Sequence, residues 1–358
     1  MVHPVMWYLG GGESLCCETM KVLLSLGHEI NLLSESFDVK GTETFLGFEG
    51  LFSRVRLLTY RNTGNTAPLG SYSHVQSHIR RQQSALDRTQ GDSIGFYDLI
   101  FSSQDPAYIP DWDLPVIQWG YFPRSFPNKL GRATFRTLRD LPLRLYYQRK
   151  IARIGLVFAI SEYSKVNFDR HWRRPSVLVY PPNRMVKPGP KRNLVITAGR
   201  AVPEKRLHLL WEAARMRPQY EFLLLAIRDS HFADYSELLS NERPSNGRII
   251  FNAPKELYYR LLGEAKVYIH LMENERFGIT IVEAMSSSCV PIVHDSGAPR
   301  EIVDDKSGFR WRQITDLPDL IDRAMKIAPS DAASRRAADF NEESFAKRLS
   351  SAFAGLRV

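Results

Sequence analysis

Cysteine is scarce in this chain: three in 358 residues, with Cys16 and Cys17 adjacent and Cys289 far away. Such a pattern builds neither a disulfide framework nor a zinc site, so a reducing compartment is expected. No apolar run approaches the roughly 18 residues that a membrane span requires. The opening Met1-Val-His-Pro has no basic stretch followed by an apolar one, so no signal peptide is expected. Long polar tracts are missing, which argues against disorder, and no fixed-period repeat suggests a solenoid. Neither a metal-ligating histidine pair nor a nucleophile elbow is expected.

What is present is a globular amount of apolar residue, 44% hydrophobic, in a chain longer than one core usually supports. Two domains are therefore expected. Net charge is +9, which favours a polyanionic partner. The excess is concentrated. Residues 124–153 carry nine basic side chains, Arg124 to Arg153, against the single acid Asp140. Phe122, Phe126, Phe135, Leu143, Tyr146 and Tyr147 are interleaved with them. This composition suits an interfacial helix on anionic headgroups, and equally a solvated helix with one face in a core. Pro142 is expected to break or kink any single helix here.

Short apolar runs recur, each followed by a turn and a segment of helical period. In the first half they fall at 30–33, 55–58, 99–101, 116–119 and 156–160. In the second they fall at 194–197, 222–227, 249–251, 267–271 and 290–293. Helical stretches are expected over 205–217, where Leu207, Leu210, Trp211 and Ala214 share a face, and over 278–288. Alternating strands and helices imply an α/β fold, with parallel sheets covered on both faces. Four prolines and Gly189 mark residues 181–192 as a linker. The expected organisation is a Rossmann-like domain over 1–180, the linker, a second such domain over 193–338, and a helix over 339–358 that crosses back to the first. Ligands are expected at the carboxyl ends of the strands, in a cleft between the domains. A first strand should precede the glycines at 10–12, yet only about nine residues are available, interrupted by His3 and Pro4. That strand is short, or the start lies upstream.

Three segments carry candidate chemistry. In Glu275-Arg-Phe-Gly-Ile-Thr-Ile-Val-Glu283, an apolar strand leads through a polar loop to Gly278 and a helix starting near Ile279. Gly278 permits close backbone approach, and the amides of the first turn attract phosphate. Glu275 and Glu283 can touch different parts of one ligand, or they are a capping acid and a solvated helix residue. In Gly199-Arg200-Ala-Val-Pro-Glu-Lys205, two cations on a strand-to-helix loop can hold a diphosphate. Each charge-assisted bond is worth about 1.5–3 kcal/mol. The alternative is a surface salt bridge worth about 0–1 kcal/mol. Gly10-Gly11-Gly12-Glu13 lets backbone lie against a phosphate or sugar, or makes a simple tight turn. Leu15 stands where a dinucleotide fingerprint needs its third glycine. Asp111-Trp-Asp113 spells an Asp-x-Asp, but it lies far from the other motifs, and no metal ligands are assigned.

In order and spacing, these segments and His294-Asp-Ser-Gly-Ala-Pro-Arg-Glu301 resemble the family 4 retaining glycosyltransferases of GT-B fold. The resemblance is nearest to the cytosolic-face mannosyltransferases of lipid-linked oligosaccharides. His3-Pro4 ahead of the glycines and Val179-Tyr-Pro-Pro182 belong to it too. It is strong over about 177–310 and thin over 40–115. The resemblance implies that Arg200 and Lys205 bind the donor diphosphate and that Glu275 contacts the transferred sugar. Phe277, Gly278, Ile279 and Thr280 would surround sugar and phosphate, with Gly199 beside them, and Glu283 would hold the ribose. Asn252 to Leu257 would flank the base, and Gly12 would approach the donor. Gly11 and Tyr121 would lie on the acceptor side. Tyr121-Phe-Pro stands where the subgroup has a His-Tyr-Pro-like segment, and Ala298 where a second glycine is common.

The implied reaction is metal-independent hexose transfer, with retained configuration, from a nucleotide-sugar to a glycan or lipid-linked acceptor. GDP-mannose is the first choice of donor and a UDP-hexose the second. No cofactor or nucleic acid is expected. The protein is expected in the cytoplasm, peripheral on a membrane's cytoplasmic face, with residues 124–153 on the anionic surface. Two rivals remain: an epimerase or phosphorylase of the same fold, and an anionic-lipid or nucleic-acid binding protein with a degenerate site.

Overall fold

The computed structural model describes residues 1–6, 10–61, 72–87, 97–123, 141–329 and 331–355. The chain divides into two compact units. The first comprises Met1–Ile160, Ser164–Tyr180 and Ala346–Val358; the second comprises Ser161–Tyr163 and Pro181–Phe345.

In the first unit, strands β1 (Asn31–Glu35) and β2 (Arg56–Tyr60) pair in parallel. Four more, β3 (Ile100–Ser102), β4 (Val116–Gly120), β5 (Ile154–Ala159) and β6 (Ser176–Leu178), run parallel in chain order. Val2 joins the two sets through single bridges to Leu33 and Ser102. The first strand is thus short: among the described residues Val2 carries the bridges, and the Pro4 carbonyl accepts from the Glu35 amide at 2.9 Å. Side chains alternate across a strand, so each face needs its own cover. On β1, Leu32 packs with Cys16, Cys17 and Met20 of α1 (Gly11–Ser25), while Leu33 packs on the other face with Val2, Leu58, Tyr60 and Ile100. All three cysteines are free thiols in the core. Among the described residues this part of the chain also has helices α2 (Val39–Leu46), α3 (Tyr72–Asp87), α4 (Leu141–Ala152) and α5 (Glu162–Trp172).

The second unit is built on one six-stranded parallel sheet. Its strands are β7 (Arg192–Arg200), β8 (Glu221–Ile227), β9 (Gly247–Phe251), β10 (Ala265–His270), β11 (Val290–His294) and β12 (Phe309–Trp311), ordered β12-β11-β10-β7-β8-β9. Between them run α6 (Leu209–Met216), α7 (Ala233–Asn241), α8 (Lys255–Glu264), α9 (Ile279–Ser286) and α10 (Pro299–Ile302). After β12 come α11 (Leu317–Lys326) and α12 (Asp331–Ala338). The order places β7 and β10 at the centre, so the loops that follow them are neighbours. The last helix, α13 (Glu342–Ala354), begins in the second unit and from Ala346 belongs to the first.

Two sequence expectations bear on this region. Pro142 leaves α4 intact, because it is the second residue of that helix, where its missing amide has no intrahelical role. Of the basic segment, residues 124–140 lie outside the described residues, and two of its later cations are structural. Lys150 is fully buried, its Nζ 2.7 Å from Asp111 Oδ1 and 2.5 Å from the Ile109 carbonyl. Arg153 donates to the carbonyls of Pro110 and Trp112. Asp111 is therefore engaged by two cations. Burial lowers the Lys150 pKa, and Asp111 works against that.

Lys150 is buried while Asp111 reaches solvent, so removing Asp111 strands the buried ammonium without its counter-charge. Asp111→Ala is expected to lower unfolding free energy by about 2 kcal/mol in urea titrations. Adding Lys150→Met to Asp111→Ala should recover part of the loss, because no buried charge then remains.

Candidate active site

In the second unit the polar groups gather where β7 and β10 end. Lys205 closes a short 3₁₀ turn (Pro203–Lys205) after β7, and its Nζ lies 2.5 Å from Glu275 Oε2. Glu275 sits in the loop between β10 and α9 and is buried. His270, the last residue of β10, brings Nε2 to 3.2 Å from the same oxygen, an ion-pairing distance outside hydrogen-bond geometry. Burial alone would raise the Glu275 pKa, but His270 and Lys205 outweigh it and hold the carboxyl well below its usual range.

The loop has its own foundation. Gly297 has φ +66°, and a Cβ there would lie 2.5 Å from the Glu275 carbonyl oxygen. The Ala298 amide donates to that carbonyl at 2.9 Å, and the Asn274 amide donates to Ser296 Oγ at 2.8 Å. His294 Nδ1 lies 2.7 Å from Ser296 Oγ and steadies it. Residues 294–298 are thus the platform under residues 274 and 275. Ala298 adopts ordinary helical dihedrals, φ −67° and ψ −27°, so a glycine is not required there.

Gly278 then turns the chain, with φ +102°, into α9. The first amides of a helix have no intrahelical acceptor. Those of Ile279 and Thr280 lie in that first turn, at the positive end of the helix dipole. Phe277 is buried against Phe340, so only its backbone is available to a ligand. Thr280 Oγ1 accepts from Tyr268 Oη at 2.6 Å.

Glu283 lies one turn further along α9, and it is not a solvated helix residue. It is buried, and Tyr258 Oη donates to Oε2 at 2.7 Å while Tyr259 Oη lies 3.5 Å from Oε1. Burial raises its pKa to about 7, opposed by those tyrosines, Arg184 and Lys255. Arg184 covers the Tyr259 ring at 4.7 Å. Sequence reasoning missed His270, Tyr258, Tyr259 and Arg184. The tyrosines lie on α8, immediately after the segment assigned to the base.

The other expected residues are placed as follows. Arg200 ends β7 with its side chain exposed, in long pairs to Asp229 at 3.7 Å and Glu204 at 4.0 Å. No described contact joins it to Lys205 or Glu275. Gly199 precedes it on the strand. Asn252 adopts φ +52°, and its Oδ1 accepts from the Arg228 amide at 3.0 Å, so the side chain braces its own loop. Leu257 is half-buried on α8. Arg206, beside Lys205, is taken by Glu273 and lies over Trp311.

The first unit holds a separate polar cluster beneath the glycines. The Gly10 amide donates to Glu13 Oε2 at 2.7 Å. Buried His3 places Nδ1 2.8 Å from Ser103 Oγ and Nε2 3.3 Å from Glu13 Oε1. Gly11 opens α1 and is exposed. Tyr121 Oη donates to the Ser103 carbonyl at 3.2 Å, and a Cβ on Gly12 would come within 3.3 Å of that hydroxyl. Two spacings run against the sequence expectation. His74 and His78 stand four apart on α3, and His78 bonds Tyr60 Oη at 3.1 Å. Gly91-Asp-Ser93-Ile-Gly95 has the Gly-x-Ser-x-Gly spelling but lies outside the described residues.

Residues 184–339 match the family model of glycosyl transferases group 1. Curated relatives of the chain include the GDP-Man:Man(3)GlcNAc(2)-PP-Dol alpha-1,2-mannosyltransferases of Dictyostelium discoideum and Neurospora crassa. The first is 27% identical over 185 residues, 45% of this chain and 37% of that one. The second is 27% identical over 221 residues, 52% of this chain and 38% of that one. The matched segments thus span less than two fifths of those relatives. Among solved structures, a glycosyltransferase from Rickettsia africae ESF-5 aligns with TM-score 0.71 at 15% identity, covering 98% of this chain and 96% of that one. Anabaena Alr3699/HepE, in complex with UDP and glucose, aligns with TM-score 0.70 at 17% identity, covering 99% and 98%. At such identity the likeness shows the fold, which is the GT-B arrangement of two parallel-sheet α/β domains.

The raised Glu283 pKa makes a signed prediction. Between about 4.5, the ordinary value, and about 7, the folded chain keeps a proton that the unfolded chain releases. Stability from this group is therefore full below pH 4.5 and falls as pH rises through 7. Glu283→Gln removes that slope, so urea unfolding of mutant and wild type at pH 5 and pH 8 should diverge by at most about 3 kcal/mol at the higher pH.

Proposed function

Because residues 184–339 match the family model of glycosyl transferases group 1, we propose that this chain is a retaining glycosyltransferase. It moves a hexose, mannose first, from a nucleotide-sugar to a lipid-linked glycan acceptor. The observation that carries this reading is the meeting of Lys205 with buried Glu275 immediately before the open N-terminus of α9. One cation, one carboxylate and first-turn amides are what a sugar diphosphate needs. The names of the curated relatives support GDP-mannose as donor and a dolichol-linked glycan as acceptor. The UDP and glucose bound to the Anabaena protein keep a UDP-hexose as second choice.

In the transfer, the bond between the anomeric carbon and a phosphate oxygen breaks, and its electron pair leaves with the diphosphate. Lys205 and the first-turn amides of α9 lie where that charge grows, and preorganised charge is worth most there. Arg200, in two long surface pairs, is the second cation able to reach the leaving group. Glu275 accepts hydrogen bonds from the sugar hydroxyls, and Glu283 from the ribose. The acceptor oxygen bonds the anomeric carbon on the face the diphosphate leaves, and its proton passes to the departing phosphate. With the leaving charge met by these groups, the step needs no divalent ion.

The cytoplasmic face of a membrane is the proposed working place. Leu141 and Leu145 of α4 are exposed at a spacing of four, and Arg149 continues the same face. The strongly basic residues 124–140 immediately precede them. A face of this kind binds anionic headgroups with leucine inserted.

Two outcomes are expected. Lys205→Ala and Glu275→Gln should each lower kcat/KM for GDP-mannose by about 10²–10³-fold with the melting temperature held, and EDTA should leave wild-type turnover in place. Product formation must require the acceptor; turnover without one would mark an epimerase or a hydrolase. Separately, Leu145→Glu with Arg149→Glu should weaken cosedimentation with phosphatidylserine vesicles by about 10-fold, with binding to neutral vesicles weak in both proteins.

A further inference from the structure

His270 is used by nothing in the mechanism above, yet it is 4% exposed and its Nε2 is aimed at Glu275. That nitrogen has no other partner. Its place is fixed by the sheet: His270 pairs in register with Val293 of β11, and its carbonyl accepts from Trp311 Nε1 at 3.1 Å. The ring lies near-parallel to Tyr268, centroids 6.5 Å apart. Lys205, by contrast, reaches the same oxygen on a flexible four-carbon stem.

The Glu275 carboxylate has four lone-pair directions. The Arg276 amide takes one on Oε1 at 3.0 Å, and Lys205 and His270 both approach Oε2. A donor diphosphate carries more negative charge than a carboxylate, so its arrival draws the ammonium away from Glu275. The carboxylate would then be loose on one side at the moment it must hold a sugar hydroxyl. The imidazole cannot follow Lys205, because its backbone is part of the sheet.

We propose that His270 is a positioning residue: it keeps the Glu275 carboxylate in its sugar-binding orientation once the donor phosphates have taken Lys205. The inference rests on the sugar-contacting role given to Glu275 above. It assigns His270 no contact with the donor. Loss of the imidazole should therefore lower kcat and leave the donor KM nearly unchanged, whereas loss of Lys205 should raise KM as well.

A double-mutant cycle tests this. Turnover of GDP-mannose with a lipid-linked acceptor is measured for His270→Ala, His270→Gln, Glu275→Gln and the pairwise combinations. The expected result is a fall in kcat of about 10-fold or more in His270→Ala, with donor KM within about threefold and partial recovery in His270→Gln, whose amide nitrogen reaches the position of Nε2. In the Glu275→Gln background His270→Ala should cost nothing further. Independent losses that multiply in the double mutant overturn the proposal, as does an equal fall in both His270 variants. If His270→Ala does not fold, the cycle is run with His270→Gln, and any loss it shows that multiplies with that of Glu275→Gln overturns the proposal. Should Glu275→Gln alone keep full turnover, it is the proposed function of Glu275 that falls, and the cycle separates that failure from this one.

Discussion

The site depends on how residues 274–278 are seated. Their loop crosses directly over Gly297, where even a methyl group would collide with the Glu275 carbonyl. Everything functional in the second unit follows from that close approach. It turns the Glu275 side chain back toward the ends of β7 and β10, and it delivers Gly278 in a left-handed conformation that starts α9 with its amides open. The hydrogen bonds from Ala298 and Asn274 then fix the loop by its backbone, which leaves the side chains available. The platform belongs to one stretch of chain and the loop to another, and neither has a use without its partner.

Two glutamates on either side of Gly278 show how environment separates identical chemistry. Both are buried, so desolvation pushes both toward the neutral form. Glu275 meets His270 and Lys205 and stays ionised, while Glu283 meets chiefly tyrosine hydroxyls and is pushed up to about 7. A carboxylate held negative beside Lys205 can be handed to a sugar hydroxyl as that ammonium leaves. A carboxyl balanced near neutrality can take either role toward a diol. The difference comes from α8 on one side and from β10 and the turn after β7 on the other, which supply the neighbours.

Ten strands stood out in the sequence because parallel sheets buried on both faces demand continuous apolar runs. Ser176–Leu178 and Phe309–Trp311 did not, since three residues carry too little pattern. Their pairing with β5 and β11 makes them strands. Val2 is the extreme case: among the described residues it alone carries the bridges of its strand. At the site, Lys205, Glu275 and Gly278 were legible because a loop after a strand constrains its residue types tightly. His270 was hidden, since a histidine ending an apolar strand looks like core. Nothing local in the sequence explains Gly297, because the reason for it is a carbonyl more than twenty residues away. The cations at 150 and 153 misled for a related cause: charge counts do not reveal that an aspartate forty residues earlier has claimed them.

The last helix deserves one more deduction. Phe353 stacks on Phe101 at 5.9 Å and meets Phe158 edge-on at 5.7 Å, so the end of the chain fills a hole in the unit made from its beginning. A fragment ending at Tyr180 would leave those rings open to water and would expose the margin of its sheet. Anyone wishing to express that unit alone must graft the final helix back, by a circular permutation or as a peptide added in trans. The boundary between the two halves is a property of packing, and no single cut in the gene reproduces it.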